Sequence, residues 1–154
     1  MTHRVVSQTP VVSAAAIYAS GDAVGGKLEF TNVCSTYRAA GRICQAKIKD
    51  NAKQNALLQL VLFKEDFTAT ADNAAFSVTD ADLANCIGVM NFAVANYTTF
   101  DANSIGTMGL AGLEVNFPYA LVAGGTSLFG QLMVLTSTPT YAATDDLQID
   151  LTIH

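Results

Sequence analysis

Few residues in this chain could be assembled into a reactive site. The only histidines are His3 and His154, each within two residues of a chain end. A Ser-His-Asp or Cys-His centre needs a held imidazole, and chain ends are where side chains are held least. A two-histidine metal site fails on the same ground. The three cysteines, Cys34, Cys44 and Cys86, are odd in number and show no CxxC or Cys-His spacing. Neither a disulfide framework nor a zinc site follows. Cys44 and Cys86 lie in apolar runs and read as small core hydrophobes, which suits assembly in a reducing cytoplasm.

Two pairs of aspartates stand close together, Asp80 with Asp82 and Asp145 with Asp146. Paired-acid hydrolysis needs two carboxyls facing each other across a cleft from different elements. Acids in turns and first helical turns more commonly cap backbone N–H groups. Asp72, Asn73, Asp80 and Asp82 supply loop oxygens of the kind calcium takes, but no twelve-residue loop ending in Glu is present. Gly21, Gly25 and Gly26 are not followed by a helix or by a GxxxxGK[ST] pattern, so they read as turn glycines and not as a phosphate cradle. Tyr18, Tyr37, Tyr97, Tyr119 and Tyr141 could stack on sugars, a reading weakened by the absence of tryptophan. The expectation is a protein without catalytic residues, cofactor or metal.

Charge is more informative than chemistry. Residues 1–64 carry eight basic and three acidic side chains, whereas residues 65–154 carry ten acidic and no basic ones. Such a split speaks to association and steering, not to fold. Either the halves interleave in space and the charges average out, or the body has two oppositely charged faces. Arg38, Arg42, Lys47, Lys49 and Lys53 concentrate the basic half. With a net charge of −5 and only Tyr37 interleaved among these cations, an acidic protein surface suits them better than nucleic acid. Charged residues make up only 14% of the chain, so part of its surface is expected to be covered by a partner. No run approaches the ~18 apolar residues of a membrane span. Ser7–Pro10 interrupts what would otherwise resemble a secretory leader between Arg4 and Ala16.

The elements that must position these residues read as about nine or ten short strands separated by turn signals, with one short helix near 78–84. The pattern predicts an all-β fold: one antiparallel β-sandwich domain over residues 1–154, jelly-roll-like in character. Arg4–Val12 is extended, with Pro10 marking an edge. The stretch Thr2–Ala16 reads either as an ordinary first strand or as an arm that pairs with a neighbour. Strands are expected at Gly25–Val33, Arg42–Asp50, Ala56–Phe63, Ile87–Val94, Ser104–Leu110, Leu113–Tyr119 and Leu128–Thr136. Cys44, Ala46 and Ile48 share one face of the second of these. Leu58, Leu60 and Leu62 share one face of the third. Leu57, Val61 and Phe63 make its other face apolar too, so that strand is central or covered on both sides. The closing strand has Leu147, Ile149, Leu151 and Ile153 inward and Gln148, Asp150 and Thr152 outward.

Four stretches together resemble a family of small proteins of tailed bacteriophages encoded near the major capsid protein. They are Ile17–Phe30, Leu60–Phe63, Asp72–Leu83 with its Asp-Asn-Ala-Ala-Phe and Asp-Ala-Asp-Leu segments, and Thr138–Tyr141 through Asp146–Leu151. The resemblance implies a small β-sandwich cement or decoration protein on the outer surface of the capsid in the virion, made in the host cytoplasm and devoid of catalytic residues. Its partners would be the major capsid protein and copies of itself, as a dimer or trimer, with no nucleic acid and no membrane. Arg38, Arg42, Lys47, Lys49 and Lys53 are the candidate capsid or subunit contacts. The alternative is a head-fibre or tail-associated sandwich that binds a host-surface glycan. Exposed aromatics gathered in one groove would favour it.

Overall fold

A computed structural model describes residues 3–35, 38–109 and 115–154. Tyr37 and the expected strand ends at Leu110 and Leu113 lie outside these residues, as does Thr2 of the N-terminal stretch. Among the described residues the strands are β1 Arg4–Gln8, β2 Ala23–Phe30, β3 Ala40–Asp50, β4 Leu58–Phe63, β5 Cys86–Phe92, β6 Tyr97–Thr99, β7 Ser104–Met108, β8 Phe117–Ala120, β9 Leu128–Val134 and β10 Leu147–Ile153. The helix α1 is a single turn, Asp80–Leu83, and a 3-10 turn occupies Val94–Asn96.

The strands form two antiparallel sheets. One runs β1-β10-β3-β7-β6, with β8 also pairing the start of β3; the other runs β2-β9-β4-β5. β1 and β3 lie in the six-stranded sheet, β2 and β4 in the four-stranded one. The chain thus crosses from layer to layer as it advances, and its last two strands insert between its first four. This is the strand order of a jelly roll. Arg4–Gln8 pairs with β10 of its own chain and is the first strand of the sandwich.

The inner faces make the core. Ile48 and Ala46 of β3 and Ile149 and Leu151 of β10 meet Leu58, Leu60 and Leu62 of β4 and Leu128 and Leu132 of β9. The inner row predicted for β10, Leu147, Ile149, Leu151 and Ile153, is buried throughout, and on the outer row Asp150 is buried as well. Tyr18 and Tyr141, both fully buried, meet edge-on at 5.7 Å where the loops close one end.

β4 is covered on both sides, as its sequence requires. Its outer residues Val61 and Phe63 form a second cluster with Phe67, onto which Phe76, Val78 and Phe129 pack. Phe63 and Phe67 stack with ring centres 4.0 Å apart. The segment 64–85 is therefore a cover laid over the outside of the four-stranded sheet.

Polar side chains fasten this cover. Gln131 of β9 points outward yet is fully buried. Its amide donates to Thr70 O and Gly25 O and accepts from Thr70 N, reproducing the pairing of a missing neighbouring strand. Asp72 accepts from Ser13 N, Ser13 Oγ, Tyr18 OH and Gly25 N, binding the cover to the N-terminal segment and to β2. Gly25 is not a turn glycine as expected. It lies within a bulge of β2 between Val24 and Leu28, at φ +70°, and a Cβ there would come within 2.6 Å of the Pro10 side chain.

Gln131→Ala removes the partners of both Thr70 backbone groups. The expected cost is about 2–3 kcal/mol, measured by chemical denaturation, with faster hydrogen exchange at the Thr70 amide.

Candidate functional site

The most distinctive surface is the outer face of the six-stranded sheet, and a slip in β3 sets its character. The inward residues of β3 are Ile48, Ala46 and Ile43, all fully buried. The last step is three residues instead of two. Thr152 pairs with Gln45 while the next residue, Ile153, pairs with Ile43, so Cys44 is the extra residue of a β-bulge. Cys44 is buried, but the inward row expected through Cys44 is taken at that point by Ile43. The slip reverses the phase of everything before it. Unbroken alternation would turn Arg42 toward the core. With the bulge, Arg42 is exposed and joins Gln45, Lys47 and Lys49 on the outer face.

The neighbouring strands add little charge to this face. Lys47 lies opposite Thr107 and Asp150, and Lys49 lies opposite Ile105 and Gln148. Beyond them stand Ser7 on β1 and Thr98 on β6. Asp150 is only 4% exposed, beneath both lysines, with Lys49 Nζ at 3.4 Å and Lys47 Nζ at 3.9 Å. Gln148 Nε2 donates to it at 2.7 Å. Burial by itself raises the Asp150 carboxyl. Hydrogen bonds from Ser7 and Gln148 and the Lys49 charge outweigh burial and hold it below the usual aspartate value. One carboxylate thus orders two ammonium groups, and the face stays net positive.

Three of the five expected contact residues therefore share this surface. Arg38 and Lys53 lie beyond its two ends. Arg38 is exposed just before β3, its N–H donating to Ser35 O at 3.0 Å. Lys53 sits in the turn after β3, where its Nζ donates to Asp101 O at 3.0 Å.

The opposite side of the sandwich is acidic. Glu65, Asp66, Asp80 and Asp82 ride on the 64–85 cover, accompanied by Lys64 and by Lys27, which ion-pairs with Asp66. The two outer faces thus differ in charge, although Lys27 and Lys64 of the basic half lie on the acidic side and Asp150 of the acidic half lies on the basic one.

Elsewhere Thr79 and Asp146 act as caps. Thr79 Oγ1 accepts from Asp82 N, and Asp146 Oδ2 accepts from Ala142 N and Ala143 N. Asp72 is engaged as described. Among the described residues no group of three or more His, Cys, Asp or Glu is placed to hold a metal ion. The histidines are better held than their positions suggest. His154 exchanges two 2.9 Å backbone hydrogen bonds with Arg42, and its ring lies 5.2 Å from that of His3. Tyr18, Tyr119 and Tyr141 are buried, Tyr97 is half-buried, and Phe100 is exposed. No helix among the described residues is long and apolar enough to cross a membrane.

Sequence reasoning placed Asp150 correctly on the outer face but missed that two lysines bury it there. It also missed the bulge. The adjacent apolar pair Ile43-Cys44, which breaks the alternation of β3, was its only signal. No family model matches the chain, and no curated protein matches it.

Two aspartates should give the stability opposite dependences on pH. Asp150 is depressed in the fold, so its contribution is complete above the unfolded value of about 4 and is lost as pH falls through its lower folded value. Asp50, raised chiefly by burial, contributes below about 4 and loses that contribution as pH rises through its folded value. In urea titrations across pH, the stability gap between wild type and Asp150→Asn should therefore close toward acid. The stability of wild type relative to Asp50→Asn should fall toward neutrality.

Proposed function

We propose that this chain is a structural protein of a bacteriophage virion. It is a capsid cement or decoration protein that sits on the outer surface of the head and stabilises contacts between neighbouring capsomers. The observation that carries this reading is the segregation of charge onto opposite faces of a jelly roll. An open, ordered sheet face bearing Arg42, Lys47 and Lys49 suits a static acidic protein surface. Lys49 is already paired with Asp150, so docking costs it less conformational freedom than a free surface lysine would lose. Jelly rolls recur in viral shells, which agrees with the sequence resemblance, although a fold by itself does not assign a role.

On this reading the partners are the major capsid protein and further copies of the chain, as a dimer or trimer. The acidic 64–85 side would face away from the shell. Weak individual contacts suffice, because shell symmetry repeats them. No enzymatic step is assigned on this reading. The glycan-binding alternative draws no support from the tyrosines, three of which are core residues.

Cryo-electron microscopy of purified virions should show regular density for this protein between capsomers, with the β3 face toward the shell. Its presence only at the tail, or only in the infected cell, would refute the cement role. In binding assays with heads lacking the protein, Lys47→Glu combined with Lys49→Glu should weaken affinity by about tenfold or more at low salt, with the difference shrinking as salt rises. Equal affinity of wild type and variant at every ionic strength would refute this mode of docking.

A further inference from the structure

One end of the sandwich holds buried polar groups that the proposed function does not use. Asp50, the last residue of β3, turns inward and is 1% exposed. Its carboxylate accepts from Ala52 N at 3.1 Å and Asn55 N at 2.8 Å, shaping the turn into β4. Three buried side-chain oxygens on residues linked to Asp50 hydrogen-bond to no other protein atom: Asn55 Oδ1, Ser104 Oγ and Tyr141 OH. Asn55 is tied to Asp50 directly through its N–H. Ser104 is the partner of Asp50 across the β3–β7 ladder. Tyr141 is fully buried and feels the charge of Asp50 and, more weakly, of Asp146. Tyr97 closes the same region, its hydroxyl donating to Ala56 O at 2.8 Å.

A buried oxygen without a partner is costly, and native interiors seldom leave several together. We propose that Asn55 Oδ1, Ser104 Oγ and Tyr141 OH enclose a binding site for a single internal water molecule. The donors and acceptors are matched to water. Asn55 Oδ1 can only accept, and each hydroxyl carries a proton to donate. A water molecule there donates to the amide oxygen and accepts from the hydroxyls, making about three hydrogen bonds, as buried waters commonly do. A cation fits less well. Both Asp50 oxygens are already engaged by backbone N–H groups, and Asp146 Oδ2 accepts from Ala142 N and Ala143 N. The bound water links the β3–β4 turn, the start of β7 and the segment before β10.

The test is a crystal structure of the protein at about 1.5 Å resolution or better, grown with calcium and without it, together with Tyr141→Phe. The expected result is one density peak within about 2.6–3.2 Å of at least two of the three oxygens, unchanged by calcium and without anomalous signal. In Tyr141→Phe, which keeps the ring and removes the hydroxyl, the peak should weaken or vanish while the neighbouring side chains stay in place. Direct hydrogen bonds among the three side chains, with no peak between them, would overturn the proposal. So would a peak at about 2.4 Å from its oxygen neighbours that appears only with calcium, which would make the site a cation site.

Discussion

A strand that is apolar on both faces cannot lie on the outside of a protein, and β4 is such a strand. Its inner leucines belong to the sandwich core, while Val61 and Phe63 need a second layer. The 64–85 segment supplies that layer, and much of the architecture follows from it. A cover over the four-stranded sheet must present its own polar side to water, and its sequence makes that side acidic. Among the described residues the six-stranded sheet has no comparable cover, so the lysines of β3 stand on an outer face without one. The difference between the two faces therefore begins with where hydrophobic surface had to be hidden.

The cover has almost no regular structure of its own, and polar anchors take the place of a ladder. Gln131 mimics a strand edge with one side-chain amide. Asp72 gathers donors from three separate parts of the chain. Each group is hydrogen-bonded where it is buried, so each contributes to a definite geometry at modest net cost. On the other face Asp150 plays a related part, being buried beneath the lysines it orders. Buried carboxylates in this molecule position backbone and side chains.

Much of this was legible in the residues. The inner row of β10, the doubly apolar β4 and the short helical turn near 78–84 follow from short-range pattern, which side-chain burial and capping enforce directly. The bulges at Gly25 and Cys44 were not legible in advance. A bulge arises from pairing with a distant strand, β9 in one case and β10 in the other, and local sequence shows only a hesitation in the pattern. The same holds for the site. Arg42, Lys47 and Lys49 could be singled out by type, but their sharing one face depends on the slip at Cys44. Nothing in the local sequence marks Gln131, because its partner, Thr70, lies 61 residues earlier.

The strand order also constrains how the molecule is made. β10 lies between β1 and β3, so the first and third strands gain their shared neighbour only when the last strand is complete. During synthesis the nascent chain carries both with unpaired edges, and the six-stranded sheet closes only after Ile153 has cleared the ribosome. Folding is thus a late event dominated by distant pairings, which are slow to form. Until then the exposed strand edges can pair with other chains, so the yield of soluble protein should depend on how crowded the nascent chains are.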